Sequence, residues 1–98
     1  MDFRLQYTQK ALSDLAEIIG YIAVESADVA SRFGSSLLDH VDLLTRFPRI
    51  GSVIRRRPRI RKLVHSPILV YYRLNERKGL IEVLHFRHAA RQTPKSFE

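Results

Sequence analysis

The spacing of apolar residues passes from a helical period to a strand period near Phe47-Pro48, and that change limits the folds open to the chain. Before it, Leu12, Leu15, Ile18 or Ile19, and Ile22 recur at three and four positions, and so do Ala30, Phe33, Leu37, Val41 and Leu44. These are the stripes of two amphipathic helices. Thr8 and Ser26 stand where N-caps belong, and Asp28 falls in the second helix's first turn, where the dipole favours an acid. A link confined to Glu25-Ser26 makes the pair an antiparallel hairpin with both stripes facing one surface. After the change, Ile60 to His65, Ile68 to Leu74 and Leu80 to His88 read as strands rich in β-branched and aromatic residues, with Asn75-Glu76-Arg77-Lys78-Gly79 as a turn. Phe3, Leu5 and Tyr7 alternate with Arg4 and Gln6 as a short N-terminal strand. The stretch holding Pro48, Gly51, Ser52 and Pro58 reads as a loop. The expectation is an α+β domain: an N-terminal strand, an antiparallel helical hairpin on one face, then a three-stranded antiparallel meander. Residues 1–98 suffice for one domain and one core, since a chain this short buries only somewhat over ~60% of its unfolded surface.

Charge is divided along the same line. Residues 1–45 hold three Lys and Arg against seven Asp and Glu, a net −4; residues 46–98 hold fourteen against three, a net +11, and together they give the formal +7. No acid lies between Asp42 and Glu76, an interval containing Arg46, Arg49, Arg55, Arg56, Arg57, Arg59, Arg61, Lys62 and Arg73. A field of that sign attracts a polyanion or an acidic protein. The run from Arg55 to Lys62 carries six cations in eight positions, and guanidinium groups grip phosphate or carboxylate without telling which.

Several function classes drop out. The chain has no cysteine, which removes disulfides, thiolate nucleophiles and zinc-thiolate sites and suits a reducing compartment. The four histidines do not show metal-ligand spacing: His40 falls in a helix, His65 in a strand, and His85 and His88, three apart in a strand, point to opposite faces. No metal or other cofactor is expected. Met1-Asp2-Phe3-Arg4-Leu5-Gln6 lacks the apolar core of a signal peptide and no stretch is long enough to span a membrane, so a soluble cytoplasmic protein is expected.

The last strand ends in Leu84-His85-Phe86-Arg87-His88-Ala89-Ala90-Arg91. Strict alternation puts Leu84, Phe86 and His88 on one face, the first two in the core and His88 at the strand's exit. There it is either functional or a cap whose ring bonds the backbone. Tyr72 shares a face with Val70 and Leu74 and reads as core.

The combined pattern resembles the RelE/ParE superfamily of toxins from bacterial type II toxin-antitoxin modules. It is carried by Ala11 with Asp14-Leu15, Phe47-Pro48-Arg49-Ile50-Gly51, Arg61, Val70-Tyr71-Tyr72-Arg73, and Val83 through His88-Ala89-Ala90-Arg91; the closing His-Ala-Ala-Arg is similar to the ParE-like branch. The resemblance implies a cognate antitoxin that wraps and neutralises the toxin in a hetero-oligomer. RelE-like members are ribosome-dependent mRNA endonucleases, a chemistry needing a general base, a general acid and cations for the phosphorane. On that reading His88, Arg61 and Arg91 are the catalytic candidates. RelE-like toxins supply a late tyrosine or a histidine paired with a glutamate, and by that pattern the second member of the acid-base pair is missing, because no carboxylate lies between Asp42 and Glu76 and no tyrosine follows Tyr72; Glu82, Tyr71 or His65 are the available substitutes. ParE-like members catalyse nothing and poison DNA gyrase. On that favoured reading Arg55, Arg56, Arg57, Arg59, Arg61, Arg73, His88 and Arg91 contact the target or the antitoxin. A plain nucleic-acid-binding module stands apart from both, and tight binding of bare duplex at physiological salt with harmless expression distinguishes it.

Overall fold

The computed structural model describes residues 2–90. Its elements run β1 (Arg4–Tyr7), α1 (Gln9–Glu25), α2 (Ala27–Asp42), a 3-10 turn (Leu43–Thr45), β2 (Ser52–Ile54), β3 (Arg57–His65), β4 (Ile68–Asn75) and β5 (Leu80–His88). The five strands lie in the order β1-β5-β4-β3-β2. The meander β3-β4-β5 is antiparallel as expected, and β1 adds to its far edge parallel to β5.

One residue separates the helices. Ser26 donates its backbone N–H to the Ile22 carbonyl, closing α1, while its hydroxyl accepts from the Val29 N–H, opening α2. With so short a link the two helices fold back on each other, and their apolar stripes face the sheet. Leu37, Val41 and Leu44 are buried there with Ala11, Leu63, Val70, Tyr72, Ile81, Val83 and Phe86. In α1 Leu15, Ile18 and Ile22 face inward as expected, but at the start of the helix Ala11 is fully buried and Leu12, the expected first member of the stripe, is 48% exposed. The cause is the N-cap. The Thr8 hydroxyl accepts from the Ala11 N–H and donates to the Leu84 carbonyl, so the start of α1 is pinned to β5 with Ala11 facing inward.

Two expectations are corrected. Residues 52–54 and 57–59 are not loop: β2 and β3 form a hairpin turning on Arg55-Arg56, with Ser52 opposite Lys62, Val53 opposite Arg61 and Ile54 opposite Arg57. Alternation in β5 is also broken. Tyr71 faces His85 while Tyr72 faces Val83, so Leu84 is the extra residue of a β-bulge. The bulge moves the core face from odd to even positions: Ile81 and Val83 before it and Phe86 after it are buried together, while Leu84 is only half-buried.

The face of the sheet away from the helices carries a smaller cluster, Ile54, Leu69 and Tyr71 with Ile60 against it. His85 stacks on Tyr71 at 5.6 Å between ring centroids, and the Arg87 guanidinium lies 6.0 Å from the same ring. No described helix is long and apolar enough to cross a membrane.

Candidate target-binding surface

The arginines named from sequence fall into three settings. Arg55 and Arg56 form the turn of the β2–β3 hairpin, and Arg57 and Arg59 follow on β3, all four exposed. Among the described residues none of these four has a carboxylate partner. Arg73 is neutralised, its Nε donating to Glu82 Oε1 at 3.1 Å across the β4–β5 pair. Arg49, which sequence reasoning left without a role, pairs with Glu76.

Arg61 does something else. Its guanidinium donates to the Gly51 carbonyl at 2.8 Å and the Arg49 carbonyl at 3.3 Å, holding the segment between the 3-10 turn and β2. Tyr72, its cross-strand neighbour, completes the clamp: its hydroxyl donates to the Pro48 carbonyl at 2.7 Å and accepts from the Gly51 N–H at 3.0 Å. Burial raises the Tyr72 phenol above its ordinary 10.0, against smaller opposite effects of the Gly51 N–H and of Arg61, so it stays a neutral donor. The motif Phe47-Pro48-Arg49-Ile50-Gly51 is thus bound at three carbonyls and one amide. Around this clamp a depression of about 540 Å³ is lined by Arg59, Arg61, Arg73 and Arg77 with the two paired glutamates.

His88 lies at the exit of β5, opposite Ile68. Its Nδ1 accepts from the Ala90 N–H at 3.1 Å, the backbone-capping arrangement, which leaves the neutral ring's proton on Nε2. Arg61 is opposite Tyr72 and His88 opposite Ile68, on different sides of β4 and four residues apart along it, roughly 13 Å. The two are not brought together. Arg91 lies outside the described residues.

Two side-chain clusters were not foreseen. Asp14 on α1 accepts from the Phe86 N–H at 3.2 Å and pairs with His85 Nδ1, filling the edge of β5 that β1 leaves open beyond Tyr7; its other oxygen takes Lys10 at 2.7 Å. His40 on α2 and His65 at the end of β3 face each other, Nδ1 to Nδ1 at 2.8 Å, with Phe33 edge-on to His65. Desolvation, with His40 as the second cause, lowers His65 below the ordinary 6.5. Among the described residues no three metal-capable side chains converge.

At this end of the molecule an apolar groove of about 490 Å³ runs between the helical hairpin and the start of β4, lined by Ile18, Tyr21, Ile22, Val29, Phe33 and Ile68. Tyr21 is 75% and Val29 46% exposed. The sequence signal for the groove was the surplus of apolar residues beside the stripes near Ser26, which the periodicity alone leaves unassigned.

Comparison with known proteins agrees with this fold. Residues 5–93 match the family described as the ParE toxin of the type II toxin-antitoxin system parDE. A Sinorhizobium fredii protein named "Putative toxin Y4kP" is 31% identical over 93 residues, 94% of each chain. Among solved structures, the chromosomal ParDE system of P. aeruginosa superposes with a TM-score of 0.75 at 21% identity, covering 88% of this chain and 95% of that one. The RelBE2 toxin-antitoxin complex of Mycobacterium tuberculosis gives 0.70 at 18%, covering 90% and 99%. The isolated E. coli RelE toxin gives 0.62 at 19%, covering 92% and 87%. At such identities these superpositions speak to the fold.

Proposed function

Because the chain belongs to the ParE toxin family of type II toxin-antitoxin modules, we propose that it acts by poisoning DNA gyrase and blocking replication, and that a cognate antitoxin neutralises it. The observation that carries this reading is how the basic half is arranged. Four exposed arginines without a carboxylate partner among the described residues lie together on the β2–β3 hairpin, while two of the three residues offered for nuclease chemistry are otherwise engaged: Arg61 holds two backbone carbonyls and His88 caps the chain at Ala90, on opposite sides of β4 and four residues apart along it. Cleavage of RNA calls for an acid and a base within reach of one phosphate. A poison calls only for a surface complementary to its target.

The antitoxin follows from the same family and from the toxin-antitoxin assemblies named among the structural relatives. We assign it the groove between the helices and β4, whose exposed Tyr21 and Val29 suit the apolar anchors of an amphipathic segment.

The test is to induce the protein alone in a bacterium and follow thymidine and methionine incorporation over the first minutes. Thymidine incorporation is expected to stop first, and purified gyrase with plasmid is expected to yield linear DNA after denaturation. An immediate stop in methionine incorporation with intact plasmid would reject gyrase as the target.

A further inference from the structure

The geometry points to the β2–β3 hairpin as a phosphate-gripping ribbon, in which Arg55 and Arg56 at the turn and Arg57 and Arg59 on β3 hold the backbone of double-stranded DNA without reading its sequence. This rests on the gyrase reading insofar as the duplex it meets in the cell is the one gyrase holds.

Four observations carry it. The first is charge: these four guanidinium groups have no acidic partner among the described residues, whereas Arg32, Arg49 and Arg73 are each paired with one. An arginine already matched by a carboxylate offers a phosphate little; four unmatched ones in five positions offer it a concentrated field. The second is spacing. Arg57 and Arg59 occupy alternate positions of one strand and so share a face about 7 Å apart, the order of the separation of successive phosphates along a nucleic-acid strand.

The third is shape. Arg55 and Arg56 sit on a two-residue turn with Arg57 and Arg59 following on β3, all exposed, and a two-stranded ribbon of this kind is narrow enough for a duplex's major groove, roughly 12 Å wide. An acidic peptide gains its affinity from buried apolar anchors. The large apolar groove lies beside Ile68, at the other end of β3, eight residues or about 27 Å from Arg57. The fourth is polarity. The helices carry the chain's acidic excess, so the field of a polyanion turns the hairpin toward it and the helices away.

The experiment is fluorescence anisotropy of the full chain on a short labelled duplex of arbitrary sequence, between about 50 and 200 mM salt. Four released counterions predict a log-log slope near −3.6 and a loss of affinity on the order of 100-fold over that range. The quadruple variant Arg55→Gln, Arg56→Gln, Arg57→Gln, Arg59→Gln is expected to lose most of that slope, while Arg32→Gln on α2 keeps it. The single variants Arg55→Gln and Arg56→Gln, which touch only the turn, should each lower the slope by about one and guard against misfolding of the quadruple. Retention of antitoxin binding by the quadruple shows that it is folded. No duplex binding by the wild type at the low-salt end overturns the assignment. So does a quadruple that keeps its duplex affinity and loses only gyrase or antitoxin binding, which makes the hairpin a protein contact. If the slope behaves as expected but the wild type yields no gyrase-cleaved DNA, the ribbon stands and the gyrase reading falls.

Discussion

Gly51 shows how much a single position can be asked to do. A Cβ built there would lie 2.7 Å from the ring and hydroxyl of Tyr72 and 2.9 Å from the Lys62 carbonyl. The ring belongs to a fully buried side chain and the carbonyl to the sheet, so neither can move away cheaply. Gly51→Ala is therefore expected to cost about 1–3 kcal/mol by overpacking, read as a lower urea midpoint at unchanged slope. Gly20 is the contrast. It lies in the exposed middle of α1 with nothing within 4 Å of the added carbon, and Gly20→Ala should stabilise by about 0.5–1 kcal/mol in the same titration, because only helix propensity is at stake. Removing the hydroxyl that Gly51 leans on, Tyr72→Phe, leaves a buried amide and a part-buried carbonyl without their partner and is expected to cost about 1–3 kcal/mol. The sequence located this motif and not its reason. The loop residues and Tyr72 are more than twenty positions apart, and only the closing of the sheet brings them together. For the same cause Arg61 reads in sequence as one cation among six, although its guanidinium is spent on the clamp.

At the level of elements, local signals succeeded where a side chain acts on its own neighbours. Thr8 and Ser26 cap the helices as their hydroxyls and positions suggest, and the Asn75–Gly79 turn places Gly79 at φ +60° with the Asn75 side chain accepting from Lys78. They failed where pairing is decided at a distance. Nothing in Ser52-Val53-Ile54 outweighs the flanking glycine and arginines, and β2 exists because β3 offers it an edge. The Leu84 bulge is likewise set by α1, which pins Leu84 through Thr8 and Phe86 through Asp14. The link between α2 and the end of β3 carries a pH dependence. With the rings of His40 and His65 facing through Nδ1, one donates and the other accepts, and a second proton would set N–H against N–H. Because His65 is held below its ordinary 6.5, the unfolded chain binds the proton more readily than the folded one. Stability from this site is therefore complete above pH 6.5 and is lost as pH falls from there through the lower folded value. Thermal unfolding from pH 7.5 to 5 should show a decline that His65→Gln lessens; equal declines in both proteins would remove the pair from the account.

Across the whole molecule the sequence's two halves become two chemically distinct surfaces, because the helices with their acidic excess cover one side of the sheet and the arginines project from the far end of β3. The apolar groove belongs to the first surface and the unpaired cations to the second, so capture by the antitoxin and attack on the target should respond to different substitutions. Val29 is exposed at the groove, and a carboxylate there can be solvated in the free toxin but not beneath an apolar anchor. Val29→Glu is accordingly expected to leave the fold and toxicity intact while weakening antitoxin binding by about 2 kcal/mol or more, roughly thirtyfold, through faster dissociation. Arg55→Gln with Arg56→Gln should do the reverse, lowering toxicity and slowing salt-dependent association while changing antitoxin dissociation little. Growth on co-expression, scored beside dissociation rates of the purified pair, separates the two. Loss of capture in both variants would mean that one antitoxin segment grips both ends, and that neutralisation works by covering the hairpin itself.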